Sequence, residues 1–213
     1  MEGPKNQPTA LPEIDAPDIA YSCSLSWDGC RDIRVIKLLP LDPQSSNNLK
    51  LEIELEEVNI DQNPEYQAIS YCWGIQEPRI PILCNNAKLM IRDNLALVLW
   101  HLRQHLSDPI RLWADAICIN QSDNKEKGIQ VEMMRDVYRT AGKVHVWLGK
   151  DKPEWDIACG FSFLETVSEA VKDVDFDNVR QVVQRSLPAR KVFDPNYYEH
   201  LLYLLSYPWF SRV

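Results

Sequence analysis

Glycine is scarce in this chain, and none of it is placed for phosphate chemistry. Only seven of the 213 residues are glycine, and none falls into GxGxxG or GxxxxGK[ST]. The Rossmann and P-loop modes of nucleotide binding are therefore excluded, because both need their glycine turn. GxSxG is missing as well, which removes the nucleophile elbow of the hydrolase sheet fold. Histidine is limited to four residues. His101 and His105 have the i, i+4 spacing of a metal pair, but HExxH is absent because Leu102 stands where the motif needs glutamate. Surface or helix-end histidines explain the pair, and no metal site is expected.

The six cysteines, at 23, 30, 72, 84, 118 and 159, form no CxxC. Cys72, Cys84 and Cys118 lie in or beside apolar stretches, where a reduced thiol packs as a small hydrophobe, so no disulfide framework is expected. The opening MEGPKNQPTALPEIDAPD lacks the basic start and apolar core of a secretion signal, and no apolar run reaches membrane-spanning length. A cytoplasmic protein is the expectation. Positive charge is also short: the formal net charge is −8. That argues against nucleic-acid and anionic-membrane partners. A nucleotide ligand stays possible, since it needs only a local basic or amide-rich pocket.

Along the chain, residues 1–30 read as a flexible lead-in, rich in proline at the start. Residues 31–39 give a first strand that stops at Pro40. From Leu49 to Val58, Leu51, Ile53 and Leu55 alternate with Glu52, Glu54 and Glu56, the pattern of a strand with one wet acidic face. Tyr66–Trp73 is a third strand, with Gly74 free to turn. Ile82–Cys84 followed by Asn85-Asn86 suggests a small hairpin.

From Asp93, a plausible N-cap, the period becomes helical through Leu95, Val98, Leu99, Leu102 and Leu106. Strand 110–114 follows. A helix over Lys125–Thr140 then turns Ile129, Met133, Met134, Val137 and Tyr138 to the core, and VHVWL at 144–148 reads as another buried strand. This α-β-α-β alternation predicts a three-layer α/β fold with a mostly parallel sheet and flanking helices, plus antiparallel strands at the N-terminus. Further helices are expected after Pro153, over Asp177–Arg185 and over Tyr197–Leu205.

The polar and aromatic groups gather at strand ends, where open α/β folds place their ligands. Tyr71 and Trp73 flank the end of the third strand, Asp115 and Asn120 follow the strand 110–114, and Glu126, Gln130 and Arg135 lie on the next helix. A carboxylate there could fix ribose hydroxyls or stabilise an oxocarbenium-like centre. On the structural alternative, Asp115 and Asn120 cap a loop and Glu126 makes a helix-surface pair.

YQAISYCWG at 66–74, DNLALVLWHLR at 93–103 and LWADAICINQSDNKEKGIQVEMMRDVYRTAGKVHVWLG at 112–149 closely resemble the HET domain, the heterokaryon-incompatibility domain of filamentous fungi. The resemblance covers residue 31 to the end and implies one HET-type domain over 31–213. It implies a role in nonself recognition and regulated cell death, with homo-oligomers or other HET-domain proteins as partners. The fold would be TIR-like, and some TIR domains cleave the nicotinamide–ribose bond of NAD. By that resemblance Ser70, Tyr71, Trp73 and Gly74 mark a loop near the ligand. Asn120, Gln121 and Gln130 complete the binding set, and Asp115 and Glu126 are the catalytic candidates. A self-associating interaction module without catalysis, or an inactive regulator of full-length HET proteins, is the competing expectation. Family members commonly continue past the WFSRV segment to a tryptophan and a Gln-Glu pair. A chain ending at Val213 is therefore expected to be cut short, with Trp209 and Phe210 partly exposed.

Overall fold

Seven strands join in one sheet in the structure, a computed structural model that describes Tyr21, Leu25 and residues 31–41, 50–74, 78–149, 157–172 and 197–210. The strands are β1 (Asp32–Leu38), β2 (Glu52–Asn59), β3 (Gln67–Tyr71), β4 (Arg79–Cys84), β5 (Ala87–Arg92), β6 (Ile110–Trp113) and β7 (Lys143–Trp147). Their order across the sheet is β5-β4-β2-β1-β6-β3-β7. The helices are α1 (Asp93–Gln104), α2 (Asp115–Cys118), α3 (Asn124–Thr140), α4 (Ile157–Val171) and α5 (Tyr197–Leu205). The chain divides into two compact units, Met1–Trp147 with the sheet and Leu148–Val213 with α4 and α5.

The α/β class matches the sequence pattern, but the sheet is mixed, not mostly parallel. β3 pairs in parallel with both β6 and β7, and β2 pairs in parallel with β4. β1 runs antiparallel to β2 and to β6, and β4 antiparallel to β5. The helical crossover from β6 to β7 does build parallel strands, with the earlier β3 inserted between them. The run stops at β6 because β1 enters beside it in the opposite sense. The antiparallel strands expected at the N-terminus are β1 and β2.

Local chemistry explains most elements. On β2 the acidic face stays wet and is partly neutralised across strands, Lys37 reaching Glu54 at 2.8 Å and Arg111 reaching Glu56 at 2.7 Å. The β4–β5 hairpin turns on Asn85 and Asn86, whose φ values of 50° and 63° are the left-handed pair a two-residue turn requires. Asp93 is the first residue of α1, not its cap. The cap position is Arg92, which makes no side-chain cap bond. On α3, Asp123 caps instead, accepting from the backbone N–H groups of Lys125 and Glu126.

Two burial expectations change. β7 is the sheet's edge, and its Val144 and Val146 are exposed, so it is not a buried strand. On α3 the fully buried positions are Glu126, Gln130 and Val137, while Ile129, Met133, Met134 and Tyr138 are half-buried. Polar side chains reach the core there because the neighbouring strand supplies partners for them.

The lead-in over 1–30 lies outside the described residues apart from Tyr21 and Leu25, and Leu25 is buried. Pro153 and the helix expected over Asp177–Arg185 also lie outside them. Within the second unit α4 and α5 pack on each other. Phe210 is exposed and Trp209 half-buried, their rings edge-on at 5.1 Å. Among the described residues no helix is long and apolar enough to cross a membrane.

Candidate functional site

β3 and β6 run in parallel, so their C-terminal ends lie on one side of the sheet, and the chain that leaves them builds the site. The strand period sends Tyr71 and Trp73 the same way and Ser70 the other. Tyr71 and Ser70 are buried, while Trp73 is half-buried at the rim. Trp73 donates its indole N–H to Asp115 Oδ2 at 2.9 Å. The other oxygen, Oδ1, accepts the backbone N–H of Ala116 at 2.8 Å. Asp115 also sits against the Tyr71 hydroxyl. Burial first, then the charge of Asp115, holds that phenol well above its ordinary pKa.

Over the face of the indole, the Arg92 guanidinium lies 4.8 Å from the ring centroid and donates to the Gly74 carbonyl at 3.2 Å. Gly74 has φ +71°, a conformation side chains rarely adopt, and this aims its carbonyl at Arg92. Carboxylate, indole and guanidinium therefore form one polarised chain: Asp115, Trp73, Arg92.

Beside this chain lies a cleft of about 450 Å³. Its walls are Tyr21, Trp73, Arg79, Leu89, Met90, Ile91, Arg92, Ala116, Asn120, Gln121 and Ser122. The volume falls within the range of small-ligand pockets. Gln121 is anchored through Nε2 to the Asp115 carbonyl at 2.8 Å, and Asn120 Oδ1 accepts the Ser122 N–H at 3.1 Å. Amide and hydroxyl groups thus share the lining of the cleft with two arginines.

Glu126 is elsewhere in character. It is 1% exposed and receives two bonds from Arg34, at 2.5 and 3.1 Å, and the Asn120 N–H at 2.7 Å. Arg34 is itself buried, donates to the Cys118 carbonyl at 3.3 Å, and lies 4.9 Å from the Tyr21 ring centroid. Tyr21 donates its hydroxyl to the Ile117 carbonyl at 2.9 Å, and burial raises its pKa. The expected helix-surface pair of Glu126 is thus a buried one, formed with a strand arginine. Gln130 Nε2 donates to the Asp32 carbonyl at 2.9 Å, and its buried oxygen has no partner among the described residues.

The sequence-derived set therefore separates. Trp73, Asn120 and Gln121 line the cleft; Asp115, Tyr71 and Gly74 lie directly behind Trp73 or Arg92. Glu126 fastens the loop from beneath, and Gln130 and Ser70 are away from the opening. Arg34, Arg79, Arg92 and Tyr21 were missed. Arg34 carried a signal, as a cation set among the apolar residues Ile33, Val35 and Ile36. Such a group needs a carboxylate once the strand is central.

Among the described residues the thiols of Cys72, Cys84 and Cys118 are free. Burial pushes Cys84 and Cys118 up to about 12, which keeps both protonated and unreactive. His101 and His105 lie at the exposed end of α1 with ring centroids 4.9 Å apart. No group of three His, Cys, Asp or Glu side chains suited to a metal occurs among the described residues.

The family described as "Heterokaryon incompatibility protein (HET)" matches residues 66–213. Heterokaryon incompatibility protein 6, OR allele, of Neurospora crassa is similar, at 38% identity over 126 residues, covering 54% of this chain. Those residues are 18% of that protein, so the chain spans less than a fifth of the length of the curated relative it matches. No solved structure matches.

Proposed function

The chain belongs to the heterokaryon incompatibility (HET) family, and we propose that it is a cytoplasmic signalling domain of fungal nonself recognition that triggers regulated cell death. We further read the cleft as a site for NAD, whose nicotinamide–ribose bond the domain hydrolyses to nicotinamide and ADP-ribose, in the manner of the TIR-like domains it resembles. The observation carrying this reading is the Asp115–Trp73 pair at the rim of a nucleotide-sized cleft.

Cleavage of the N-glycosidic bond makes the ribose cation-like while nicotinamide leaves, and water then adds to the same carbon. A fixed carboxylate stabilises that charge, and the N–H groups of Trp73 and Ala116 fix Asp115 in place. Asn120 and Gln121 suit ribose hydroxyls. Glu126 is a positioning residue in this scheme, because it grips the Asn120 backbone and does not reach the opening.

The test is nicotinamide release from NAD by the purified protein, followed by chromatography. Asp115→Asn should lower turnover by about 10²- to 10³-fold, the usual cost of removing one preorganised electrostatic group. Absence of turnover in the parent protein would remove the enzymatic reading and leave the signalling one. A second reading, a self-associating module without chemistry, draws on the exposed Val144 and Val146 of edge strand β7. Val146→Lys should then abolish a sedimentation-detected oligomer while leaving any NAD turnover intact.

A further inference from the structure

We propose that Arg79 and Arg92 form a built anion subsite in the cleft and take the diphosphate of a nucleotide-type ligand. This deepens the reading of the cleft as an NAD site, on which it rests for the rest of the ligand, though the subsite stands on its own electrostatics.

The two arginines face each other directly across the β4–β5 hairpin, in register. Arg92 meets a repulsion of its own, because it occupies the N-cap of α1 and makes no side-chain cap bond there. The N-terminal end of a twelve-residue helix carries partial positive charge and exposed N–H groups, and favours an anion over a cation. Asp93, in the first turn of α1, offsets part of this charge, and Asp115 bonds the indole beneath Arg92. Neither carboxylate forms an ion pair with Arg92 among the described residues. Two cations at one cleft mouth also run against the chain's acidic balance of −8.

The geometry is that of a preorganised receptor. The indole of Trp73 and the Gly74 carbonyl fix the plane of the Arg92 guanidinium and use one of its five donors. A planar fork held in this way suits bidentate contact with phosphate oxygens. Both arginines line the same 450 Å³ cleft as Asn120 and Gln121. With a diphosphate on the arginines, the amides of the same lining are available to the attached sugar.

The direct experiment is calorimetric titration of the purified protein with inorganic pyrophosphate at low and moderate salt. Binding is expected, weakening as salt rises. Arg79→Gln and Arg92→Gln should each reduce affinity about 10-fold or more, the typical worth of a charge-assisted hydrogen bond. Arg111→Gln, which removes a surface arginine outside the cleft, should leave it unchanged. Arg92→Lys keeps the charge and loses the fork, and should fall between parent and Arg92→Gln. If Arg92→Gln melts too early to titrate, the exposed Arg79 carries the test alone.

Unchanged affinity in Arg79→Gln and in any folded Arg92→Gln, or no pyrophosphate binding at low salt, would overturn the subsite. The two ideas can also fail separately. NAD cleavage that pyrophosphate does not inhibit, with KM unaltered in both glutamine variants, would sink the anion subsite and keep the hydrolase. Pyrophosphate binding that the glutamine variants weaken, without NAD cleavage, would keep the subsite and sink the hydrolase.

Discussion

Glu126 and Asp115 carry the same functional group within one polar cluster, yet their surroundings assign them opposite work. Glu126 is 1% exposed, and its oxygens are occupied by a buried arginine and a backbone N–H. Asp115 is half-buried, accepts from Trp73 and from its own neighbour in the chain, and lies behind a rim residue of an open cleft. A carboxylate with every direction filled and no solvent path can hold structure. One held half-buried behind the rim of a cleft can respond to a ligand.

The largest expected effect tests the closed half of this comparison. Glu126→Ala leaves the Arg34 guanidinium buried without its counter-ion and strips the acceptor from Asn120 N. Unfolding free energy should fall by about 3–5 kcal/mol, as for other broken buried pairs. Denaturant melts would register it as a lower midpoint with an unchanged slope. The paired change Arg34→Met with Glu126→Leu should recover most of the loss, short of what Asn120 N forfeits, because an apolar pair carries no desolvation cost. A Glu126→Ala loss below about 1 kcal/mol would mean water reaches Arg34, and the two carboxylates would then differ little.

Much of this contrast could be read in the chain before folding, and the rest required the third dimension. The alternation over Leu51, Ile53 and Leu55 announced β2, and Asn85-Asn86 announced the hairpin, because both rules are local. That same turn would have placed Arg79 opposite Arg92 by counting six residues outward on each side, a step that needs only the two-residue loop. Gathering Tyr71, Trp73 and Asp115 at strand ends was legible because β3 and β6 are parallel neighbours.

The burial of Glu126 was not legible. Its partner is on β1, 92 residues earlier, and helix periodicity treats any glutamate as solvated. The exposure of Val144 and Val146 was hidden for the converse reason. An apolar run marks a strand, but only the strand order says whether that strand has one neighbour or two.

A smaller effect tests the open half. Asp115→Asn keeps one oxygen to accept the Trp73 N–H, gives up the bond from the Ala116 N–H and removes the charge, so stability should change by only about 1 kcal/mol. Thermal melts of Asp115→Asn and Glu126→Ala under one buffer give the contrast directly. Equal losses in the two variants would make Asp115 a second structural clasp and withdraw the support that its open position gives to chemistry at the cleft.

The smallest effect concerns the phenol behind Asp115 and is read best against pH. Burial, and then the charge of Asp115, raise the Tyr71 pKa well above 10 in the folded protein, while the unfolded chain titrates near 10. The unfolded state therefore gives up its proton first as pH rises. The stabilisation from Tyr71 is complete below pH 10 and is lost progressively above it. Tyr71→Phe removes the titration together with the contact to Asp115, and should cost about 1 kcal/mol near neutrality. That difference from the parent should shrink, and then reverse, as melts are taken above pH 10. Tyr21 and Tyr66 are also raised by burial, but they are common to both proteins and cancel in the comparison. A difference that stays constant with pH would mean that Tyr71 ionises as freely in the fold as in the open chain. Asp115 would then lie in water and not in the half-dry setting that separates it from both Glu126 and an ordinary surface aspartate.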